Sequence, residues 1–282
     1  MVIRGAVNDS CLPGPRIRAE SMKQYIVDAF TDRVFGGNPA AVLPCRQMPP
    51  SGLMHSIAIE NNYSETAFVV KTGPGRYHLK WFTPGGEVDL CGHATLATAF
   101  VLHHFIDPGI PEMHFDTVSG ELIVTAWKEG FTLDFPIGLY KLIPVTDDIL
   151  AATAGLAREA YYEEGDMLVV VPSEEDLARF IPDYPAMEKL EGRGLILTAA
   201  SKECDFVSRC FYPKLDVPED PVTGSAHTYL TPFWATRLGK REMVARQISR
   251  RGGVLRVSMG ESRVFITGQA VLFMEGEIPF DL

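Results

Sequence analysis

The sequence predicts an α/β protein built from two copies of one unit, and three observations carry that prediction. First, the chain aligns with itself. Phe82-Thr83-Pro84 matches Phe211-Tyr212-Pro213, Gly92-His93-Ala94-Thr95 matches Gly224-Ser225-Ala226-His227, and Ser119-Gly120-Glu121-Leu122-Ile123-Val124 matches Gly252-Gly253-Val254-Leu255-Arg256-Val257, in the same order and at nearly one offset of about 130 residues. Second, each copy holds an apolar helix, Ala94–Phe105 and Ala226–Leu238, headed by a Gly-containing polar turn. Third, short apolar or alternating runs bounded by turn residues flank each helix and read as strands and hairpins.

In chain order, residues 1 to 21 contain Pro13, Gly14 and Pro15 without periodicity, and read as an extension before a domain beginning at Met22. Gln24 to Phe30 reads as a strand, Thr31 to Pro39 as a turn cluster and Ala40 to Leu43 as a second strand. Leu53 to Glu60 has apolar residues at helical spacing, and Ser64 to Val70 is a strand with a carboxylate near its start. Tyr77 to Phe82 alternates as a strand, Thr83 to Glu87 is a Gly-rich loop, and the first apolar helix follows. Phe115 to Phe135 reads as two or three strands around the Lys128-Glu129-Gly130 turn. Thr146 to Leu156 is a short helix, Met167 to Val171 a buried strand, and Ser173 to Phe180 a helix with Ser173 as N-cap and acidic residues in its first turn. Leu195 to Ala199 and Cys204 to Tyr212 are strands, Glu219 to Ser225 is a second polar turn, and the second apolar helix follows with Pro232 expected to kink it or mark its effective midpoint. Val254 to Ser258, Arg263 to Thr267 and Gln269 to Glu275 close the chain as strands.

Composition narrows the function classes. At 282 residues and 46% hydrophobic content the chain supports one large domain or two ordinary ones. No run approaches the roughly 18 apolar residues of a membrane helix, and the first twenty residues lack the apolar core of a secretory signal, so a cytoplasmic protein is expected. The five cysteines, Cys11, Cys45, Cys91, Cys204 and Cys210, are scattered without a CxxC pair, which argues against a disulfide framework and a structural zinc site. A formal charge of −10 disfavours nucleic acid and anionic membranes as partners. A small anionic substrate then has to be held by local donors. The basic cluster Lys240, Arg241, Arg246, Arg250 and Arg251 reads as a solvated surface helix followed by a turn.

Those donors are expected at the helix mouths. The first N–H groups of a helix lack internal partners and carry the positive end of its dipole, so Gly92, His93 and Ala94 offer donors to an anion. Two facing copies would aim two such mouths at one cleft, adding Gly224 and Ser225. Glu65 lies among apolar residues, where burial would raise its pKa toward that of a general acid/base; a strand-end Glu exposed at a turn is the plain alternative. His93 is either a capping or core histidine or a site residue whose pKa the dipole lowers, keeping it neutral. Asp220 either caps the turn before Pro221 or works with His93 as an acid/base pair. Cys91 is a thiolate candidate or a small hydrophobe, and His103-His104 is expected to complement the C-terminal dipole of the first helix. Gly73-Pro74-Gly75, Gly85-Gly86 and Gly252-Gly253 carry no phosphate-binding or dinucleotide fingerprint, so no nucleotide cofactor is assigned.

Four motifs in order, Asp28-Ala29-Phe30-Thr31 with Gly37-Asn38-Pro39-Ala40, Ser64-Glu65-Thr66-Ala67-Phe68, Cys91-Gly92-His93-Ala94-Thr95, and Glu219-Asp220-Pro221-Val222-Thr223-Gly224-Ser225-Ala226, resemble the PhzF (phenazine biosynthesis-like) family over roughly Met22 to Leu282. The resemblance implies the diaminopimelate epimerase-like fold: two pseudo-symmetric α/β halves, each a mostly antiparallel sheet wrapped around a central helix, with the site between them. The corresponding division is 22–133 plus 268–282 for the first half and 134–267 for the second. The resemblance also implies a cofactor-independent isomerase that moves a proton on a small carboxylic acid, commonly as a homodimer. Glu65 stands at the family's general acid/base position. His93 and Asp220 stand at positions that assist proton transfer and substrate binding, and Gly92, Gly224 and Ser225 at positions that hold the substrate carboxylate. The epimerases that name the fold use one cysteine from each half. Here Cys91 stands in the first thiol position and the turn from Asp220 to Ser225 has none, which disfavours a two-thiol racemase. A racemase using Cys91 with Glu65 or Asp220, and a silent small-molecule-binding protein, are the competing readings.

Overall fold

The computed structural model describes residues 20–128 and 130–280. The expected extension falls outside them except for Glu20 and Ser21, which open the first strand, and Cys11 and Glu129 fall outside as well. The first part of the chain forms β1 (Glu20–Ala29), β2 (Asn38–Cys45), α1 (Ser51–Asn61), β3 (Glu65–Gly73), β4 (Arg76–Thr83), β5 (Gly86–Val88), α2 (Gly92–Val101), β6 (Glu112–Thr117), β7 (Gly120–Trp127) and β8 (Gly130–Pro136). The remainder forms β9 (Leu142–Ile143), α3 (Asp147–Ala152), β10 (Glu159–Tyr161), β11 (Met167–Val170), α4 (Glu174–Arg179), α5 (Tyr184–Met187), β12 (Leu195–Ala200), β13 (Phe206–Tyr212), β14 (Val217–Asp220), α6 (His227–Leu238), β15 (Glu242–Gln247), β16 (Gly253–Met259), β17 (Arg263–Gly268) and β18 (Ala270–Phe280).

One order of pairings occurs twice. β2 pairs parallel with β3, β3 antiparallel with β4, β4 antiparallel with β5 and parallel with β6, and β6, β7 and β8 follow as an antiparallel meander. β11 pairs parallel with β12, β12 antiparallel with β13, β13 antiparallel with β14 and parallel with β15, and β15, β16 and β17 follow as a meander. A parallel pair cannot be joined by a hairpin, so each crossover carries helix: α1 and α2 in the first run, α4 with α5 and then α6 in the second. The runs are tied together where β17 pairs with β8, and β18 returns along β1, which also pairs with β2.

α2 is buried from Gly92 to Ala99, as its all-round apolarity demands. Its small residues let β1, β2, β3 and β8 close around it. The hydroxyls of Thr95 and Thr98, which burial would otherwise strand, donate to the carbonyls of Cys91 and Ala94. α2 and α6 share one core with residues of β1, β7, β8, β16 and β17, while smaller cores lie beneath α1 and beneath α3 to α5.

The elements differ from the sequence expectation in several places. α2 ends at Val101 and the chain continues as a π-helical turn, Leu102–Ile106. There His103 Nδ1 lies 2.8 Å from Ile110 O, beyond the helix, and burial together with the His103 charge lowers the pKa of His104. The basic stretch read as a surface helix is instead β15 and the turn after it. Met243, Ala245 and Gln247 alternate inward while Glu242, Val244 and Arg246 face outward, a period of two that the charges obscure. The predicted loop after Thr83 and the turn before Pro221 each contain a short strand, β5 and β14, pairing back on β4 and β13. α6 runs through Pro232 without breaking. The carbonyl that Pro232 leaves without a helical donor is Thr228 O, and Gly138 N–H takes it at 3.1 Å.

Candidate active site

The two repeated turns meet backbone to backbone. A Cβ built on Gly92 would lie 3.2 Å from Gly224 Cα, and one on Gly224 would lie 3.2 Å from Gly92 Cα. The two also share a pattern of flanking rings: Phe135 Cζ lies 3.7 Å from the first such Cβ and Phe30 Cζ 3.7 Å from the second. A side chain at either position would press the two turns apart. Beside the contact lies a cavity of about 540 Å³ lined by residues of both turns, among them Glu65, Gly92, His93, Asp220, Gly224 and Ser225. All six residues singled out in the sequence thus border one space.

At the first mouth, Cys91 is extended and Thr95 N–H is the first to bond within the helix, to Cys91 O at 3.4 Å. The N–H groups of Gly92, His93 and Ala94 are therefore free of helical acceptors. At the second mouth His227 N–H already donates to Gly224 O, which leaves those of Ser225 and Ala226 without a helical acceptor.

Glu65 opens β3, where the parallel ladder sets it beside Ala40, and it retains 18% side-chain exposure toward the cavity. Its Oε2 lies 3.0 Å from His93 Nε2, an ion-pair distance without hydrogen-bond alignment, and neither atom has another partner among the described residues. On the far side of the ring, His93 Nδ1 is 3.2 Å from Asn38 Nδ2 and 3.5 Å from Cys91 Sγ. Asn38 Nδ2 also donates to Asp220 Oδ1 at 2.8 Å and to Val222 O at 2.9 Å. The two hydrogens of the Asn38 amide go to the shorter contacts with Asp220 and Val222, so its approach to Nδ1 fixes no ring tautomer; Nε2 is the nitrogen that faces Glu65. Asp220 is not in direct contact with His93 as an acid/base pair; Asn38 stands between them. Asp220 Oδ2 accepts from Thr223 Oγ1 at 2.5 Å, and the Gln247 amide fixes this turn by accepting from Thr223 N–H and donating to Asp220 O.

Charge follows from these contacts. Burial opposes a charged His93, but Cys91 and Glu65 outweigh it and hold the imidazole pKa well above the ordinary 6.5. Burial pushes the Cys91 thiol up to about 11, so near neutral pH the working charge on His93 is that of Glu65. The expectation that the helix dipole keeps His93 neutral fails because a full carboxylate charge at 3.0 Å exceeds the half-charge of a helix end. Asp220 is raised by burial to about 6, with His93 and the Thr223 and Asn38 hydrogen bonds pulling the other way. Cys91 is thus a protonated, buried thiol, 5% exposed, the small-hydrophobe alternative.

Glu65, Cys91 and His93 bring an oxygen, a sulfur and a nitrogen within 4.8 Å of one another. A metal would require a thiolate and a neutral imidazole, whereas the surroundings favour the thiol and the charged ring. A second cavity, about 710 Å³, is lined by the segments around residues 30–33, 246–256 and 267–269. It contains arginines but no carboxylate–imidazole pair.

Asn38 and Gln247 were not singled out in the sequence as site residues. The signals for Asn38 are its place in the Gly37-Asn38-Pro39-Ala40 motif and an amide opening a largely apolar strand, and Gln247 carries none beyond being the buried polar residue that ends β15.

A family model described as "Phenazine biosynthesis-like protein" matches residues 27–276. An uncharacterized isomerase of Pseudomonas aeruginosa is 47% identical over 254 residues, covering 90% of this chain and 97% of that protein. The crystal structure of a phenazine biosynthesis protein of the PhzF family from Enterococcus faecalis superposes with a TM-score of 0.90 at 48% identity, covering 93% of this chain and all of that one. A predicted epimerase of Pseudomonas aeruginosa, 21% identical, shares the fold with a TM-score of 0.71 over 92% of this chain and all of that one.

Proposed function

The chain belongs to the phenazine biosynthesis-like (PhzF) family, and from that membership and the cavity we propose a cofactor-independent isomerase that transfers a proton within a small carboxylic-acid metabolite. The isomerase names of its relatives support the reaction class. The observation that carries the proposal is the Glu65–His93 pair, 3.0 Å apart, set beside two helix mouths that meet at Gly92 and Gly224.

The substrate carboxylate binds the free N–H groups of the two mouths, which place positive potential where charge builds as a neighbouring carbon loses its proton. Glu65, the partly exposed carboxylate of the cavity, takes that proton. Charged His93 faces Glu65 and offers Nε2–H to the carboxyl as it reacts. Glu65 returns the proton at the second carbon, so the protein ends the cycle as it began, and Asp220, near 6 within the same cavity, helps hold the substrate; its link to His93 runs through Asn38. The site lies between two pseudo-symmetric halves, 22–133 plus 268–282 and 134–267, each supplying one mouth.

The test is solvent deuterium incorporation into a panel of small unsaturated and α-substituted carboxylic acids. The native enzyme is expected to exchange a C–H adjacent to the activating group, and Glu65→Gln to exchange at least about 100-fold more slowly. Exchange unchanged in Glu65→Gln removes the assignment.

A further inference from the structure

The same cavity holds a cationic side chain that the proton-transfer scheme does not use. Its lining includes five carboxylates, Glu65, Glu87, Asp89, Asp216 and Asp220, and one Arg or Lys, Arg193. The guanidinium of Arg193 is fixed from behind. Its Nε and Nη2 donate to the two oxygens of Asp166 at 3.1 and 3.0 Å, and Tyr212 OH donates to Asp166 Oδ2 at 3.2 Å. Asp166 is fully buried, with 0% side-chain exposure, while the Arg193 side chain is 51% exposed.

One edge of the guanidinium is therefore spent on a buried bidentate pair. The Nη1 donors on the other edge have no acceptor among the described residues. An ion pair serving only to neutralise Asp166 has no need to line a cavity and stay half exposed. A planar fork held by a buried carboxylate is instead pre-organised for a second carboxylate, because the rotamer entropy that a free arginine loses on binding is already lost. The negative lining adds to the argument: away from the helix mouths and the Glu65–His93 pair, Arg193 is the basic side chain of the lining that an anion meets.

We infer that Arg193 binds a second acidic group of the substrate, so that the ligand class is a small dicarboxylate with one carboxylate at the Gly92 and Gly224 mouths and the other on Arg193. Asp166 and Tyr212 are positioning residues for that contact. This inference rests on the reading of the cavity as the substrate site.

The experiment measures affinities of the unmodified protein for straight-chain α,ω-dicarboxylates from malonate to adipate, each beside the monocarboxylate of the same length, by calorimetry at fixed ionic strength. One diacid length is expected to bind at least about tenfold more tightly than its monoacid. Arg193→Gln is expected to erase that preference while leaving monoacid affinity within about twofold, and Arg193→Lys to restore only part of it. Should Arg193→Gln not fold with Asp166 left unpaired, Asp166→Asn with Arg193→Gln removes both charges and is expected to give the same loss. A native protein without diacid preference at any length, or an Arg193→Gln that weakens monoacids and diacids equally, overturns the inference. The measurement is independent of turnover. Exchange and diacid preference are read separately on the native protein, so failed deuterium exchange would count against the isomerase alone and a missing preference against the Arg193 contact alone.

Discussion

Asp220 and His227, one on each side of the Gly224 turn, titrate in opposite senses. Burial lowers fully buried His227 to about 4 although its Nδ1 bonds Thr223 O, and burial raises Asp220 to about 6. The unfolded chain takes up the His227 proton near 6.5 while the native state does not, so this contribution is complete above pH 6.5 and is lost as pH falls toward 4. The folded state holds the Asp220 proton that the unfolded chain has released, so that contribution is complete below the ordinary 3.8 and is lost as pH rises through 6. Each amounts to about 3 kcal/mol, and between pH 4 and 6 they offset one another. Asp220→Asn is expected to expose a stability that drops on acidification across this window, and His227→Gln one that drops as pH rises. Denaturant titrations at pH 4, 5 and 6 check this, and parallel profiles for the two variants would contradict it. His93 acts in a separate window: its raised pKa gives stability that is complete below 6.5 and fades as pH rises through the folded value. Cys91→Ala is expected to retain activity within about threefold, since a thiol held near 11 supplies almost no thiolate at neutral pH; loss beyond about 100-fold would return the thiol to the mechanism. The identities of Glu65, His93 and Asp220 as candidates were legible from chemistry and motif. Their arrangement was not. The charge on His93 depends on a carboxylate 28 positions earlier that only the fold brings to 3.0 Å, and Asn38, which bridges His93 and Asp220, lies 182 positions from Asp220.

At the scale of elements, the buried helices were the most legible features and the charged strand the least. All-round apolarity can only mean an interior helix, whereas β15 hides its alternation behind Arg246 and Glu242. The passage of α6 through Pro232 was illegible because its compensation comes from a distant residue, Gly138, whose N–H takes Thr228 O. That approach leaves no room: a Cβ on Gly138 would lie 2.6 Å from the Tyr229 ring and 2.9 Å from Thr228 Oγ1. Gly138→Ala is therefore expected to cost about 1–3 kcal/mol through overpacking, read by denaturant unfolding. A variant as stable as the native protein would mean that the loop accommodates the methyl and that Thr228 O is satisfied otherwise. Gly92→Ala and Gly224→Ala press on the same backbone contact from opposite sides, so their costs should fall well short of additive in the double variant.

For the whole molecule, the internal repeat read from three short segments corresponds to one order of strand pairings that occurs twice. What the repeat could not convey is the contact it creates, because glycine-to-glycine proximity between the two copies leaves no mark on either sequence alone. In the proposed mechanism that contact brings the N–H groups at the head of α2 beside those of Ser225 and Ala226. The account's central claim is that both mouths act on one ligand held against Glu65. Crystals of the protein soaked with a small carboxylate such as benzoate test it most directly. The account expects the carboxylate between the backbone N–H groups of Gly92 to Ala94 and those of Ser225 and Ala226, with the adjacent carbon facing Glu65. A carboxylate seated in the arginine-lined cavity around Arg246 and Arg256, with the Gly92–Gly224 mouths bearing none, would contradict it.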